Sequence, residues 1–358
     1  MKKKILHIVE GFGGGVFTFL VDLINSTSDE YDITLACAIR PQTPENYRAY
    51  FNANIKIIEL QNAGREINAI EDIKLFFELK KIISNNKPDI VHLHSSKAGF
   101  IGRLICNDKK TRVLYNPHGF AFLKQDESRI KRQIYKVLEY LAAKKAGYIV
   151  GVSKGEYEEA LKLTKKSFWI NNGINVKKLP EVNKRKFENK ICTIGRICDQ
   201  KNPELFNKIA EKFPEYQFDW IGDGELRNLL NSENINILGW KEKNEVLNIL
   251  KETDIFILTS LWEGLPISLL EAMYYKKVCI VSNCIGNRDV IVDKYNGFIA
   301  NDLEEFILKL KNILDGNVNV EQITENAYKD VINNYNFEMI AQKYIDLYEN
   351  VREKELTK

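Results

Sequence analysis

The feature that most constrains the fold of this chain is a regular alternation of short apolar runs with amphipathic stretches, played through twice along 358 residues. In the first series the apolar runs fall at residues 5–9, 33–38, 55–60, 90–94, 113–116 and 148–152, with helical periodicity between them, as at 73–84 and 129–145. Short runs that are apolar throughout suit strands covered on both faces. Strands alternating with helices therefore predict a doubly wound parallel sheet. A turn-rich segment at 171–175 follows, and then a charged stretch at 177–190 that carries Pro180 and lacks apolar period, which reads as a linker. A second series has runs at 191–195, 218–222, 235–238, 255–259, 278–282 and 297–300. The expected architecture is α/β, with a Rossmann-like domain over 1–175, a second over 176–336 and a closing segment, 337–358. That segment begins with one helix, 337–355, carrying Ile340, Tyr344, Leu347 and Val351 on a stripe. Two facing domains of this kind make a cleft, a favoured place for a ligand.

Composition narrows the class. No apolar stretch is long enough to span a bilayer. The run after Lys2–Lys4 ends at Glu10 and reads as a first strand rather than a signal peptide. The six cysteines are scattered without a C-x-x-C pair, which predicts buried free thiols and a cytoplasmic setting. Net charge is only +3, but residues 1–178 hold 29 Lys and Arg against 19 Asp and Glu. The excess gathers around Lys124, Arg129, Lys131, Arg132, Lys136, Lys144 and Lys145. A basic half suits an anionic partner: a membrane surface, a diphosphate or a nucleic acid. A solvated helix face is the plain alternative.

Three segments carry candidate chemistry. The segment from Ser260 to Met273 sets Glu263 in a Gly-Pro turn and Glu271 inside a helix, between two strands. Pro266 suits the first helical position, and the free N–H groups around Gly264, Leu265, Ile267 and Ser268 suit phosphate oxygens. A carboxylate repels phosphate, so Glu271 suits the vicinal hydroxyls of a ribose. Gly195 ends a strand and is followed by Arg196 and Lys201, a rigid fork and a mobile point charge that together suit a diphosphate. Gly11, Gly13, Gly14 and Gly15 form a loop after the first strand where a backbone can approach a ligand. Val16 stands where a dinucleotide fingerprint needs its third glycine, which disfavours a hydride-transferring dehydrogenase. Among four histidines, His92 and His94 lie on one face of a strand without a visible third metal ligand, His7 reads as core, and His118 sits in a loop as a neutral hydrogen-bonding or proton-handling group.

Together these residues resemble the GT4 family, retaining glycosyltransferases of the GT-B fold, over essentially the whole chain. The most specific element is Glu263-x7-Glu271, accompanied by Gly195-Arg196, Lys201-Asn202, the Gly13–Gly15 loop and Ile221-Gly222-Asp223-Gly224. The runs from His92 to Gly99 and from His118 to Phe122 look like the capsule and O-antigen branch. The resemblance implies that Arg196 and Lys201 hold the donor diphosphate together with the backbone of Gly264, Leu265, Pro266 and Ile267. It implies that Glu271 binds the ribose, that Glu263 and His118 contact the transferred sugar, and that Gly14 and Gly15 lie against the diphosphate or the acceptor. Gly239 and Trp240 would lie near the base.

The expected donor is a nucleotide-diphosphate sugar, a UDP-sugar, with no metal cofactor because no D-x-D motif is present. The expected acceptor is a polyprenyl-diphosphate-linked saccharide at the inner face of the plasma membrane. Lys97, Phe120, Lys124, Lys131 and Arg132 would lie on that acceptor side, and no nucleic-acid partner is expected. A UDP-sugar 2-epimerase shares the architecture, and a non-catalytic nucleotide-sugar-binding subunit is the non-enzymatic alternative.

Overall fold

The computed structural model describes residues 2–64, 68–182 and 186–350. Part of the expected linker (183–185) and the end of the closing segment (351–358, Val351 included) lie outside the described residues. The chain divides into two compact units. One holds the residues through Leu123, Glu127–Asn172 and the helix Phe337–Asn350; the other holds Lys124–Asp126 and Gly173–Asn336.

The first unit is built on a parallel sheet of β1 (Lys4–Phe12), β2 (Asp32–Ile39), β3 (Lys56–Glu59), β4 (Ile90–His94), β5 (Arg112–Asn116), β6 (Tyr148–Gly151) and β7 (Ser167–Trp169). Its strand order is β3-β2-β1-β4-β5-β6-β7. The second unit carries β8 (Ile191–Ile194), β9 (Phe218–Ile221), β10 (Ile235–Gly239), β11 (Ile255–Leu258), β12 (Val278–Ser282) and β13 (Phe298–Ala300), in the order β10-β9-β8-β11-β12-β13. In each sheet the order reverses beside the first strand, at β1/β4 and at β8/β11. In such sheets ligands bind outside the carboxyl ends of the strands at that reversal. Strand β7 was not anticipated, because three residues, Ser-Phe-Trp, are too few to show a period.

Each sheet is apolar on both faces, as its strand runs require. On one face of the first sheet, Phe19, Leu20 and Leu23 of the helix Gly14–Thr27 pack with Phe337, Ile340 and Tyr344 of Phe337–Asn350. On the other, Leu75, Leu79, Ala98 and Ile101 pack on Leu6, Val91 and Val113. Helix Ser96–Ile105 comes close to the sheet because Gly99 has no side chain; a Cβ there would meet the Tyr115 ring at 2.1 Å. The approach seals in an ion pair. Arg103 Nη2 lies 2.5 Å from Glu139 Oε2, its guanidinium sits 4.2 Å from the Tyr115 ring centre, and the Tyr115 hydroxyl donates to Glu139 Oε1 at 2.9 Å. Among the described residues no helix is long and apolar enough to cross a membrane, and all six cysteines are buried and free.

Removing one member of a buried pair leaves the other charge uncompensated, at a cost of roughly 3–5 kcal/mol. Glu139→Ala is therefore expected to lower the urea midpoint markedly, and Arg103→Leu added to it to restore part of the loss. A single variant that unfolds like the parent would show that the pair does not hold this face together.

Candidate active site

In the second unit the sequence-chosen residues converge at the β8/β11 reversal. After β8 the chain makes a short turn of helix, Asp199–Lys201, and after β11 it runs through Thr259 and Ser260 into the Gly-Pro turn. The two loops are stitched together. Thr259 Oγ1 donates to Lys201 O at 2.7 Å, Leu261 N–H donates to Gln200 O at 2.8 Å, and the Gln200 amide donates to Trp262 O at 3.0 Å. The side chains then meet: Lys201 Nζ lies 2.6 Å from Glu263 Oε1, and Ser260 Oγ donates to the same oxygen at 2.8 Å. Glu263 is only 7% exposed. The glutamate that the sequence placed on the sugar side thus also neutralises the lysine expected to hold the diphosphate.

Glu271 has a counterpart that the sequence did not point to. It lies in the helix Ile267–Tyr274, is buried, and is paired with Lys243 at the start of the helix Lys243–Glu252. No motif marks Lys243; only its place after the Gly239–Trp240 turn brings it there. Buried in this way, Glu271 is not a solvated acid that merely complements a helix dipole. Pro266 is displaced by one from expectation: it caps the helix with φ −75° and ψ 119°, and Ile267 is the first helical residue. The extended ψ keeps Pro266 outside the helix, and the N–H groups of Ile267 and Ser268 remain without intrahelical partners.

Gly286 lets the loop after β12 close over this turn. Its φ is +87°, and a Cβ would meet Gly264 O at 2.6 Å. Arg196 is engaged as well, gripping Glu225 through Nε at 3.0 Å and Nη2 at 2.8 Å. Gly239 ends β10 with φ +71°, and Trp240 beyond it is 53% exposed, a large aromatic face left to solvent.

In the first unit Gly14 and Gly15 are exposed and open the helix Gly14–Thr27, with Gly14 at φ +53°. All four histidines of the chain lie together at the β1/β4 reversal. His7 on β1 stands in register with His92 on β4, and the ligand atoms of His7, His92 and His94 lie within 4.8 Å of one another. The third histidine thought missing from the His92/His94 pair is therefore His7, supplied by the neighbouring parallel strand, a pairing that sequence spacing hides. His118 follows β5 with φ +54°, its ring 5.0 Å from that of Phe19. Enclosure lowers every one of these imidazoles: His92 to about 4, His118 to about 3, and His7 and His94 well below the ordinary value. All four are neutral near pH 7.

The residues expected on the acceptor side are corrected in two places. Phe120 is fully buried and stacked on Phe122 at 4.7 Å, so it meets no lipid or acceptor. The Lys97 side chain is only 10% exposed and lies 2.9 Å from Asp72, which removes it from the free positive surface. Lys124 is half-buried, Lys131 pairs with Glu127 at 2.8 Å, and Arg132 donates to Phe122 O at 3.1 Å. The outward surface is formed instead by the helix Arg129–Lys145. Ile130 is 76% exposed, and Ile134, Val137 and Leu141 more than half, at helical spacing along one side.

Comparisons with known proteins identify the family of the chain. The family model "Glycosyl transferases group 1" matches residues 175–330, and "Glycosyltransferase Family 4" matches 13–178. The chain is 31% identical to the UDP-Gal:alpha-D-GlcNAc-diphosphoundecaprenol alpha-1,3-galactosyltransferase of Escherichia coli, over 90% of this chain and 89% of that protein. This chain is a family 4 glycosyltransferase. It is also 24% identical to the N,N'-diacetylbacillosaminyl-diphospho-undecaprenol alpha-1,3-N-acetylgalactosaminyltransferase of Campylobacter jejuni, over 95% of this chain and 96% of that protein. Its fold matches sucrose-phosphate synthase from Thermosynechococcus elongatus with a TM-score of 0.83 at 15% identity, over 99% of this chain and 100% of that one. The glycosyltransferase thus has the GT-B fold, with two Rossmann-like parallel-sheet domains.

The two glutamates of this glycosyltransferase are expected to separate on substitution. Glu271→Gln loses a charged acceptor, worth about 1.5–3 kcal/mol, and should weaken UDP-sugar binding by ten-fold or more by calorimetry. Glu263→Gln frees Lys201 from its buried partner and should lower kcat by a larger factor than it weakens donor binding. The reverse pattern would exchange the two roles.

Proposed function

We propose that this glycosyltransferase transfers a hexose or N-acetylhexosamine from a UDP-sugar to a hydroxyl of a polyprenyl-diphosphate-linked saccharide, in the synthesis of a cell-surface polysaccharide. The observation that carries this reading is the pair of buried carboxylate–lysine contacts, Glu263 with Lys201 and Glu271 with Lys243, at the sheet's ligand-binding edge. Buried acids of this kind suit sugar hydroxyls, and the lysines beside them suit phosphate. The names of the Escherichia coli and Campylobacter jejuni relatives support the lipid-diphosphate acceptor.

In the proposed reaction the bond from the anomeric carbon to the diphosphate breaks as the acceptor oxygen bonds on the same face. The acceptor proton passes to the departing phosphate. Lys201, Arg196 and the first N–H groups of the helix Ile267–Tyr274 offset the charge that builds on that phosphate, a preorganised role that calls on no cation. The His118 imidazole contacts the transferred sugar and its phosphate, and Trp240 lies beside the base.

We place the working enzyme at the cytoplasmic face of the membrane. The exposed stripe Ile130, Ile134, Val137 and Leu141 lies on a helix that also bears Arg129, Lys131, Arg132, Lys136, Lys144 and Lys145. Apolar residues flanked by cations are the chemistry that binds an anionic lipid interface in its plane.

Incubation with a UDP-sugar panel and an undecaprenyl-diphosphate-linked saccharide should yield an extended, α-linked product, with activity that survives chelation. Conversion of donor without acceptor would favour the 2-epimerase, and a β-linked product would overturn retention. Separately, Ile130→Ser, Ile134→Ser and Val137→Ser together should cut sedimentation with anionic liposomes by more than about ten-fold, since each buried aliphatic side chain contributes ~1.5–3 kcal/mol. Unchanged sedimentation would remove this helix from the membrane contact.

A further inference from the structure

We propose that His118, His94 and His7 form one hydrogen-bonded relay with a single shared tautomer, through which His7 acts as a positioning residue that makes His118 a hydrogen-bond donor. Its effect on turnover rests on the donor-binding reading above; the relay itself does not. His118 Nε2 lies 3.1 Å from His94 Nδ1, and His94 Nε2 lies 3.1 Å from His7 Nδ1. At the outer end, His118 Nδ1 makes no hydrogen bond to the described residues. At the inner end, His7 Nε2 is buried and has no hydrogen-bond partner among the described residues.

A neutral imidazole carries one N–H and one bare nitrogen. Each link in the relay needs one of each. Only two arrangements satisfy both links: all three rings protonated on Nδ1, or all three on Nε2. Any mixture sets two protons or two lone pairs against each other. The burial that keeps these rings neutral near pH 7 removes the doubly protonated form.

The buried end decides between the two. Protonation on Nε2 would leave His7 with an N–H in the core and no acceptor, the rarer kind of orphan and a costly one. Protonation on Nδ1 leaves only a bare ring nitrogen there. The relay therefore donates outward from His7 to His94 and from His94 to His118. His118 keeps its proton on the free nitrogen, as a neutral donor for a phosphate or sugar oxygen.

His92 stands apart from the relay. Its Nε2 lies 2.6 Å from Asn116 Oδ1, which can only accept, so that nitrogen carries the proton. The orientation of the Asn116 amide follows from its donation to Val150 O at 3.0 Å and to the Tyr344 hydroxyl at 2.8 Å. His92 Nδ1 then accepts from the Tyr348 hydroxyl at 2.9 Å. The three-histidine cluster has the donor set of a cation site, but His92 has both nitrogens engaged. A bound cation would have to break a buried hydrogen bond, and the relay breaks none.

The test is long-range proton–nitrogen correlation NMR on the full chain with 15N-labelled histidine. His7, His94 and His118 should all show the proton on Nδ1, and His92 on Nε2. A proton on Nε2 of any relay member, or a stoichiometric transition metal in the purified protein, would overturn the relay. Two variants test positioning. His7→Asn keeps a donor near the Nδ1 position and should preserve both the His118 tautomer and kcat. His7→Phe keeps a ring without a donor; His118 should then show mixed tautomers and kcat should fall about ten-fold, as for other supporting partners of a functional histidine. An unchanged His118 signal in His7→Phe would refute positioning, and the wild-type and His7→Asn spectra decide the relay even if that variant fails to fold. All spectra are taken without substrate, so failure of the relay is distinct from failure of donor binding.

Discussion

The second unit depends on the contact between Lys201 and Glu263. It joins the loop after β8 to the loop after β11 across the point where the sheet order reverses, with Nζ 2.6 Å from Oε1. Parallel strands leave their carboxyl ends open there, and the loops must be held by something other than the sheet. A buried ion pair is a costly way to do so unless its remaining lone pairs are satisfied. Here Ser260 and Gln200 satisfy them. The same pair holds the Lys201 side chain in place before any ligand arrives, and such preorganisation makes an electrostatic site effective.

Much of this was legible in the sequence. Strands β4 and β12 and the helix Arg129–Lys145 fall on the residues that apolar periodicity marked. The elements were legible because buried parallel strands are apolar throughout and the helices between them are one-sided. Glu263, Glu271 and Lys201 were legible because they sit at fixed offsets from Gly264, Pro266 and Gly195, residues with strong backbone meaning. Pairings between distant segments were not legible. Lys243 reaches Glu271 from 28 positions away and His7 reaches His94 from 87. Neither separation leaves a trace in local spacing. Burial was the other blind point. Phe120 and Lys97 read as surface groups in a basic stretch, but the tight turn at Gly119 and the carboxylate of Asp72 take them inward.

The first unit shows the same economy of position with different chemistry. Its reversal point, between β1 and β4, gathers four neutral histidines where the second unit gathers paired charges. Neutral rings deep in a sheet cannot offset a phosphate by charge; they can direct hydrogen bonds. The helix Arg129–Lys145 adds a third surface, aliphatic outward and rooted inward by Glu139 on Arg103. The chain thus pairs a charged loop cluster in the second unit with a basic helix in the first that leaves Ile130, Ile134, Val137 and Leu141 exposed.

The turn from Gly264 to Ile267 and the two glutamates beside it form the proposed seat of the sugar nucleotide. A crystal structure of the chain with UDP bound is the decisive measurement. Diphosphate oxygens are expected on the Ile267 and Ser268 N–H groups and on Lys201, with both ribose hydroxyls on Glu271. UDP seated away from this turn, or with its ribose clear of Glu271, would show that these residues do not form the donor site.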